Sequence, residues 1–143
     1  MSANIQDLSF GEQQEVLMLP RIRAVFPDTV KIQKRFDHFD FMCPDPKVHF
    51  ELKSRNNTKT KYNTINFSVL KLEEGRRRLK EGICDRIIYL FNFESRLDKT
   101  KRTLHFWEDN GSYDMPIVMR GNTARGEPDK PLCDLPIRLL KRF

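Results

Sequence analysis

The sequence predicts an α/β fold with a central mixed sheet flanked by helices, in the order α-β-β-β-α-β-β. Two observations carry that expectation. Stretches with residues at helical steps of three and four alternate with short runs that switch between apolar and polar side chains. One later run, CDRIIYLFNF, is apolar enough to be a strand buried on both faces.

The elements follow in order. Ser9 suits a helix N-cap, and Leu8, Glu12, Glu15, Leu19, Ile22 and Phe26 then share one helical face. Pro20 is a point for a kink, and Pro27-Asp28 ends the helix. Val30 to Phe36 alternates as a first strand, Phe36 to Cys43 as a second and Val48 to Arg55 as a third. Arg55 to Thr64 (RNNTKTKYNT) reads as a polar, cationic loop. Asn66 or Ser68 caps a second helix running to about Glu81, with Gly82 as its stop. Cys84 to Phe93 and Arg102 to Glu108 are the last two strands. Gly121 to Pro131 reads as loop, and Leu135 to Phe143 as a short basic helix.

The chain has 143 residues, enough for one core, and a single domain over 1–143 is expected. Eleven Phe and a hydrophobic fraction of 38% supply that core. No apolar run approaches the roughly 18 residues of a membrane helix, so no membrane partner is expected. MSANIQDLSF has neither a basic start nor an apolar centre, which argues against a secretory signal. Cys43, Cys84 and Cys133 are odd in number and far apart. They argue against a disulfide framework or a zinc site, and an intracellular, reducing compartment, cytoplasmic or nuclear, is expected. A net charge of +6 favours a polyanionic partner, nucleic acid first.

The chemistry concentrates in FDFMCPDPKVHFELKSR, Phe39 to Arg55. With Pro44 to Lys47 as the turn, a symmetric hairpin pairs residues whose numbers sum to 91. Cys43 then faces Val48, Phe41 faces Phe50 and Phe39 faces Leu52, all on one apolar side. The other side pairs Met42 with His49, Asp40 with Glu51 and His38 with Lys53. Directly opposed Cβ atoms are about 4.5–5.5 Å apart, so two ionised acids there repel. A proton, a neighbouring cation such as Lys53, or a bound metal must offset that repulsion. Glu12 and Glu15 add acids on the helix stripe that faces the sheet, although acids near a helix N-terminus are favourable anyway. Carboxylates converging in a basic protein point to a hard divalent cation, Mg²⁺ or Mn²⁺. Against a phosphodiester, Asp40 and Glu51 would hold the metal, and Lys53 would either lose its own proton more easily or orient the attacking water and stabilise charge.

Asp40, ten intervening residues and then Glu51-Leu52-Lys53 resemble the motif of the PD-(D/E)xK nuclease superfamily. The element order from about Ser9 to Phe93 resembles its restriction-endonuclease-like core, with the acid–x–lysine on the third strand. The residue before Asp40 is Phe39 rather than Pro, and the literal Pro44-Asp45 falls in the turn. The resemblance implies a Mg²⁺- or Mn²⁺-dependent endonuclease hydrolysing phosphodiester bonds in DNA, with Asp40, Glu51 and Lys53 catalytic. It implies metal ligands from Asp40, Glu51, the Leu52 carbonyl and a first-helix acid, Glu15 or Glu12. A homodimer is expected from such relatives. The stretch SRNNTKTKYNTINFSVLKL further resembles small nuclease-like proteins of large DNA viruses and phages.

Arg55, Lys59, Lys61, Tyr62, Lys71 and Arg76 are the candidate nucleic-acid contacts: cations for phosphates and one ring for stacking on a base. Two alternatives stand beside the DNA endonuclease. One is a catalytically inactive nucleic-acid-binding module whose acids and lysine form an ion network. The other is an RNA endonuclease of cap-snatching type, which usually places a His on the first helix; His38, His49 and His105 all lie elsewhere.

Overall fold

The structure, a computed structural model, describes residues 8–33, 37–121 and 123–143. Over the described residues the chain is α/β, with a mixed sheet and two α-helices. α1 spans Phe10–Val25 and starts where expected, because the Ser9 hydroxyl accepts the Glu12 N–H. Pro20 lies inside α1 without dividing it. β1 is Val30–Lys31, β2 Phe41–Pro44 and β3 Lys47–Thr58. β4, Thr64–Ser68, leads directly into α2, Val69–Lys80, and the Ser68 side chain caps that helix. Gly82, at φ 69°, ends it with a left-handed turn that residues with a Cβ rarely take. β5 is Arg86–Glu94 and β6 is Arg102–Asp109. β7 (Ile117–Arg120), β8 (Lys130–Pro136) and β9 (Lys141–Arg142) complete the strands.

One sheet has six strands in the order β1-β2-β3-β5-β6-β9, the other three in the order β4-β8-β7. Only β3 and β5 are parallel in the large sheet, joined through β4 and α2. α1 covers one face, where Met18, Ile22 and Phe26 pack on Phe41, Val48, Phe50, Ile88 and Leu90. α2 and the small sheet share the other face, where Leu72, Phe67 and Leu135 pack on Tyr89, Phe91 and Phe93.

Several expectations need correction. Val30 to Phe36 forms a strand only over Val30–Lys31, and positions 34–36 lie outside the described residues. Arg55 to Thr58 is not loop but the outer half of β3, paired with β5 across a register shift between Ser54 and Thr58. Asn66 sits in β4 rather than capping α2, and its side chain donates to the Cys133 carbonyl and Asp134. The end of Gly121 to Pro131 enters β8. Leu135 to Phe143 forms no α-helix: it is the end of β8, a 3-10 turn over Ile137–Leu139, and β9.

The hairpin register is as expected from Phe41 to Pro44, which pair with Phe50, His49, Val48 and Lys47, but the ladder stops there, so the expected pairs Asp40 with Glu51 and His38 with Lys53 do not form. The expected faces fail at Phe39. The Asp40 N–H donates to the Phe50 carbonyl at 2.8 Å, although Phe50 is already the partner of Phe41. Two residues of one strand then oppose one of the other, the arrangement of a β-bulge. The slip sends Phe39 to the α2 face, against Tyr89 and His49, instead of opposite Leu52.

Candidate functional site

The site grows from the point where β2 stops. Beyond Phe50, β3 keeps β5 as its neighbour but has no further pairing with β2. The Leu52 N–H donates instead to Asp40 Oδ2 at 2.8 Å. A carboxylate thus replaces a strand carbonyl, satisfying a backbone donor that would otherwise be orphaned. The bulge and this bond together fix Asp40 at the open edge of the sheet.

α1 brings Glu15 to Asp40, and Lys31 on β1 is hydrogen-bonded to the Glu15 carboxylate. Glu12, one turn earlier, accepts from the Ser9 hydroxyl at 2.8 Å while its own N–H donates to Ser9 Oγ at 3.3 Å. Glu12 therefore braces the cap at the start of α1 through the Ser9 hydroxyl, rather than through the Ser9 N–H as in a full capping box. Both glutamates and Asp40 line an open cleft of about 530 Å³.

Glu51 is 2% exposed, and α2 supplies its partner. Lys71 Nζ lies 2.6 Å from Glu51 Oε1 and also donates to the His38 carbonyl at 3.0 Å. Glu51 Oε2 is buried with no hydrogen-bond partner. Leaving such a group unsatisfied costs about 1–3 kcal/mol, and more for a charge.

The acids perturb one another. Burial, then the hydrogen bond with Asp40, pushes Glu15 up to about 7, against the opposing pull of Lys31. Burial, then the charge of Glu51 and a hydrogen bond shared with it, pushes Asp40 up to about 6, while the bonds from Glu15 and Leu52 oppose the rise. Lys53 is drawn below the usual lysine range, first by burial and next by Lys71 and Arg55, against the acids Glu51 and Asp40. Burial therefore disfavours charge of either sign here, holding protons on carboxyls and loosening one on a lysine.

Among the described residues, no three His, Cys, Asp or Glu side chains form a ready-made metal-binding group. The donor chemistry still fits a hard cation. Asp40, Glu51 and Glu15 offer carboxylate oxygens, one of them buried and unpartnered, and Leu52 offers its backbone carbonyl.

The candidate nucleic-acid contacts divide. Arg55, Lys59 and Tyr62 line one groove, with Arg120. The Lys61 ammonium lies 5.6 Å from the centre of the Tyr62 ring. Lys71 is bound to Glu51. Arg76 does not line that groove: it donates to Asp109 at 3.0 Å and to the Tyr113 carbonyl at 2.7 Å, anchoring an acid that is 1% exposed.

Three contributors were missed in the sequence. Lys31 alternates with Val30 and Ile32, so its opposite facing was legible, but its acidic partner was not. Arg120 belongs to a strand that lacks a clear period. Arg78 donates to Asp37 at 2.9 Å, lies 2.8 Å from His49 Nδ1, and stacks 4.7 Å from the Phe39 ring centre. Asp37 in turn accepts the Phe39 N–H, so Arg78 clamps the segment that leads into Asp40. Compared with protein-family models, with curated proteins and with solved structures, the chain matches none.

Proposed function

We propose that the chain is a metal-dependent endonuclease of the PD-(D/E)xK type that hydrolyses phosphodiester bonds in DNA. The observation that carries this reading is the buried, unpartnered Glu51 oxygen beside two carboxyls whose proton affinities are raised. Such a cluster gathers more carboxyl groups than its lysines and water can keep ionised, at one point of a basic protein. The element order is compatible with the reading: α1, β1 to β3, α2 and β5 follow in the order the resemblance implies, apart from β4, which intervenes before α2.

In this reading Asp40, Glu51 and Glu15, with the Leu52 carbonyl, hold Mg²⁺ or Mn²⁺. The bound ion supplies stabilisation of charge on the phosphoryl oxygens and makes a water easier to ionise. The Leu52 N–H keeps one Asp40 oxygen fixed, so the site is oriented before substrate arrives. Lys53, loosened by burial, hydrogen-bonds the attacking water and balances charge as the bond breaks. Arg55, Lys59 and Lys61 meet backbone phosphates. Two copies acting on symmetric DNA would suit a single domain of this size, as the resemblance implies.

A second reading has its own observation. Lys71 on Glu51 and Lys31 on Glu15 already give two acids a cation each. A non-catalytic nucleic-acid-binding module would keep that ion network permanently. The deciding experiment incubates the protein with linear, flapped and four-way DNAs, and with single-stranded RNA, in Mn²⁺. The endonuclease cuts at least one DNA, and both Asp40→Asn and Lys53→Ala abolish cutting while remaining folded. Cutting by Lys53→Ala at the wild-type rate removes that residue from the mechanism. Absence of metal-dependent cutting leaves the binding module.

A further inference from the structure

The outer half of β3 carries a second constructed surface. Its groove, about 230 Å³, has an apolar floor of Ile65 and Phe93 and a rim of Arg55, Lys59 and Arg120. Phe93 belongs to the same face of the large sheet as Tyr89 and Phe91, the β5 partners of Glu51 and Lys53. The groove therefore opens on the face that carries Glu51 and Lys53. Arg55 follows Lys53 by two residues, roughly 7 Å along a strand. Its guanidinium is held in place by the Asn66 carbonyl at 3.1 Å.

Tyr62 stands at this groove with 60% of its surface exposed. A large ring left in water beside three cations and an apolar floor matches the parts list of a single-strand site: a surface to stack a base and charges to take its phosphates. The dimensions choose between forms of nucleic acid. A duplex, whose major groove alone is about 12 Å wide, is too broad for a space of about 230 Å³ and lies across it. One unpaired nucleotide can.

We infer that this groove binds one unpaired nucleotide next to the phosphate being cut, with its base on Tyr62 and its phosphate between Arg55, Lys59 and Arg120, so that the substrate is single-stranded or flapped at that position. The inference rests on the nuclease reading for the position of the cut, but binding in the groove needs no metal and no catalysis.

The test measures fluorescence anisotropy of a labelled oligothymidine and of a blunt hairpin duplex, both in EDTA. The wild-type protein binds the single strand more tightly than the duplex. Tyr62→Ala weakens the single strand by about 5-fold or more and the duplex by less than about twofold, while Tyr62→Phe restores the preference. Arg120→Ala lowers the salt slope of single-strand binding by about 0.7, one phosphate contact. Equal or tighter binding of the duplex by the wild-type protein overturns the inference, as does an equal loss on both ligands in Tyr62→Ala. A protein that shows this discrimination yet never cuts DNA refutes the nuclease reading alone. One that cuts but does not discriminate refutes the groove alone.

Discussion

Replacing Asp40 by Asn should make the metal-free protein more stable while destroying its metal site. The Asp40 carboxyl is pushed from 3.8 up to about 6, first by burial and then by Glu51. Each unit corresponds to about 1.4 kcal/mol, so ionising Asp40 in the metal-free fold costs about 3 kcal/mol at most. The folded value lies above the unfolded one, so the penalty is absent below about pH 4, grows between about pH 4 and pH 6, and is constant above that. Asn carries no charge but keeps an oxygen for the Leu52 N–H. Urea unfolding in EDTA should therefore show Asp40→Asn more stable than wild type by about 1–3 kcal/mol at pH 8, with the gain vanishing near pH 4. Adding Mn²⁺ at ten times its Kd should raise the wild-type stability by about 1.4 kcal/mol and leave the variant unchanged. A variant that is destabilised at both pH values, or whose gain is independent of pH, refutes the picture of Asp40 as a carboxylate held against its preference.

Other outcomes follow from the same contacts. Because Glu15 and Asp40 must release protons to bind a cation, Mn²⁺ affinity by calorimetry should rise between pH 5.5 and pH 7.5 and proton release should accompany binding, whereas a flat profile contradicts the raised values. Arg76→Met strands buried Asp109 and should cost about 3–5 kcal/mol in chemical denaturation with DNA affinity per folded molecule unchanged; a selective loss of DNA binding would return Arg76 to the interface. Gly75→Ala places a Cβ 2.9 Å from the Tyr89 hydroxyl and 3.2 Å from the Phe39 ring, and should cost about 1–3 kcal/mol by thermal unfolding; an unchanged Tm would mean that α2 shifts freely.

The hairpin was legible because its period-two pattern and its turn residues agree on one register. Its bulge was not, since no residue type between Phe39 and Phe41 demands an extra position; Phe39 looked like the next member of the apolar face and went to the other side. Ser9 and Gly82 marked the helix ends through capping chemistry that is local. The outer half of β3 hid behind its polarity: Asn56, Asn57 and Thr58 read as loop, and of the three only Thr58 has a partner on β5, Glu94, beyond the register shift. β4 had a usable signal, Ile65 and Phe67 alternating in TINFS, but the nearby cap residues drew that stretch towards α2. β8 buries Cys133 and Leu135 between prolines at 131 and 136, which disguised a strand as a loop and a helix. At the site, Asp40, Glu51 and Lys53 could be placed on one hairpin from sequence. The pairing of Glu51 with Lys71, and of Glu15 with Lys31, depends on how helices dock, which no local pattern states.

The most direct measurement is anomalous diffraction from a crystal soaked in Mn²⁺. The account predicts one peak bounded by the Asp40 and Glu51 carboxylates, with Lys71 displaced from Glu51 Oε1 and the formerly unpartnered Oε2 or its neighbour on the ion. A map with no peak there, and with Lys71 and Lys31 still seated on their glutamates, would contradict it.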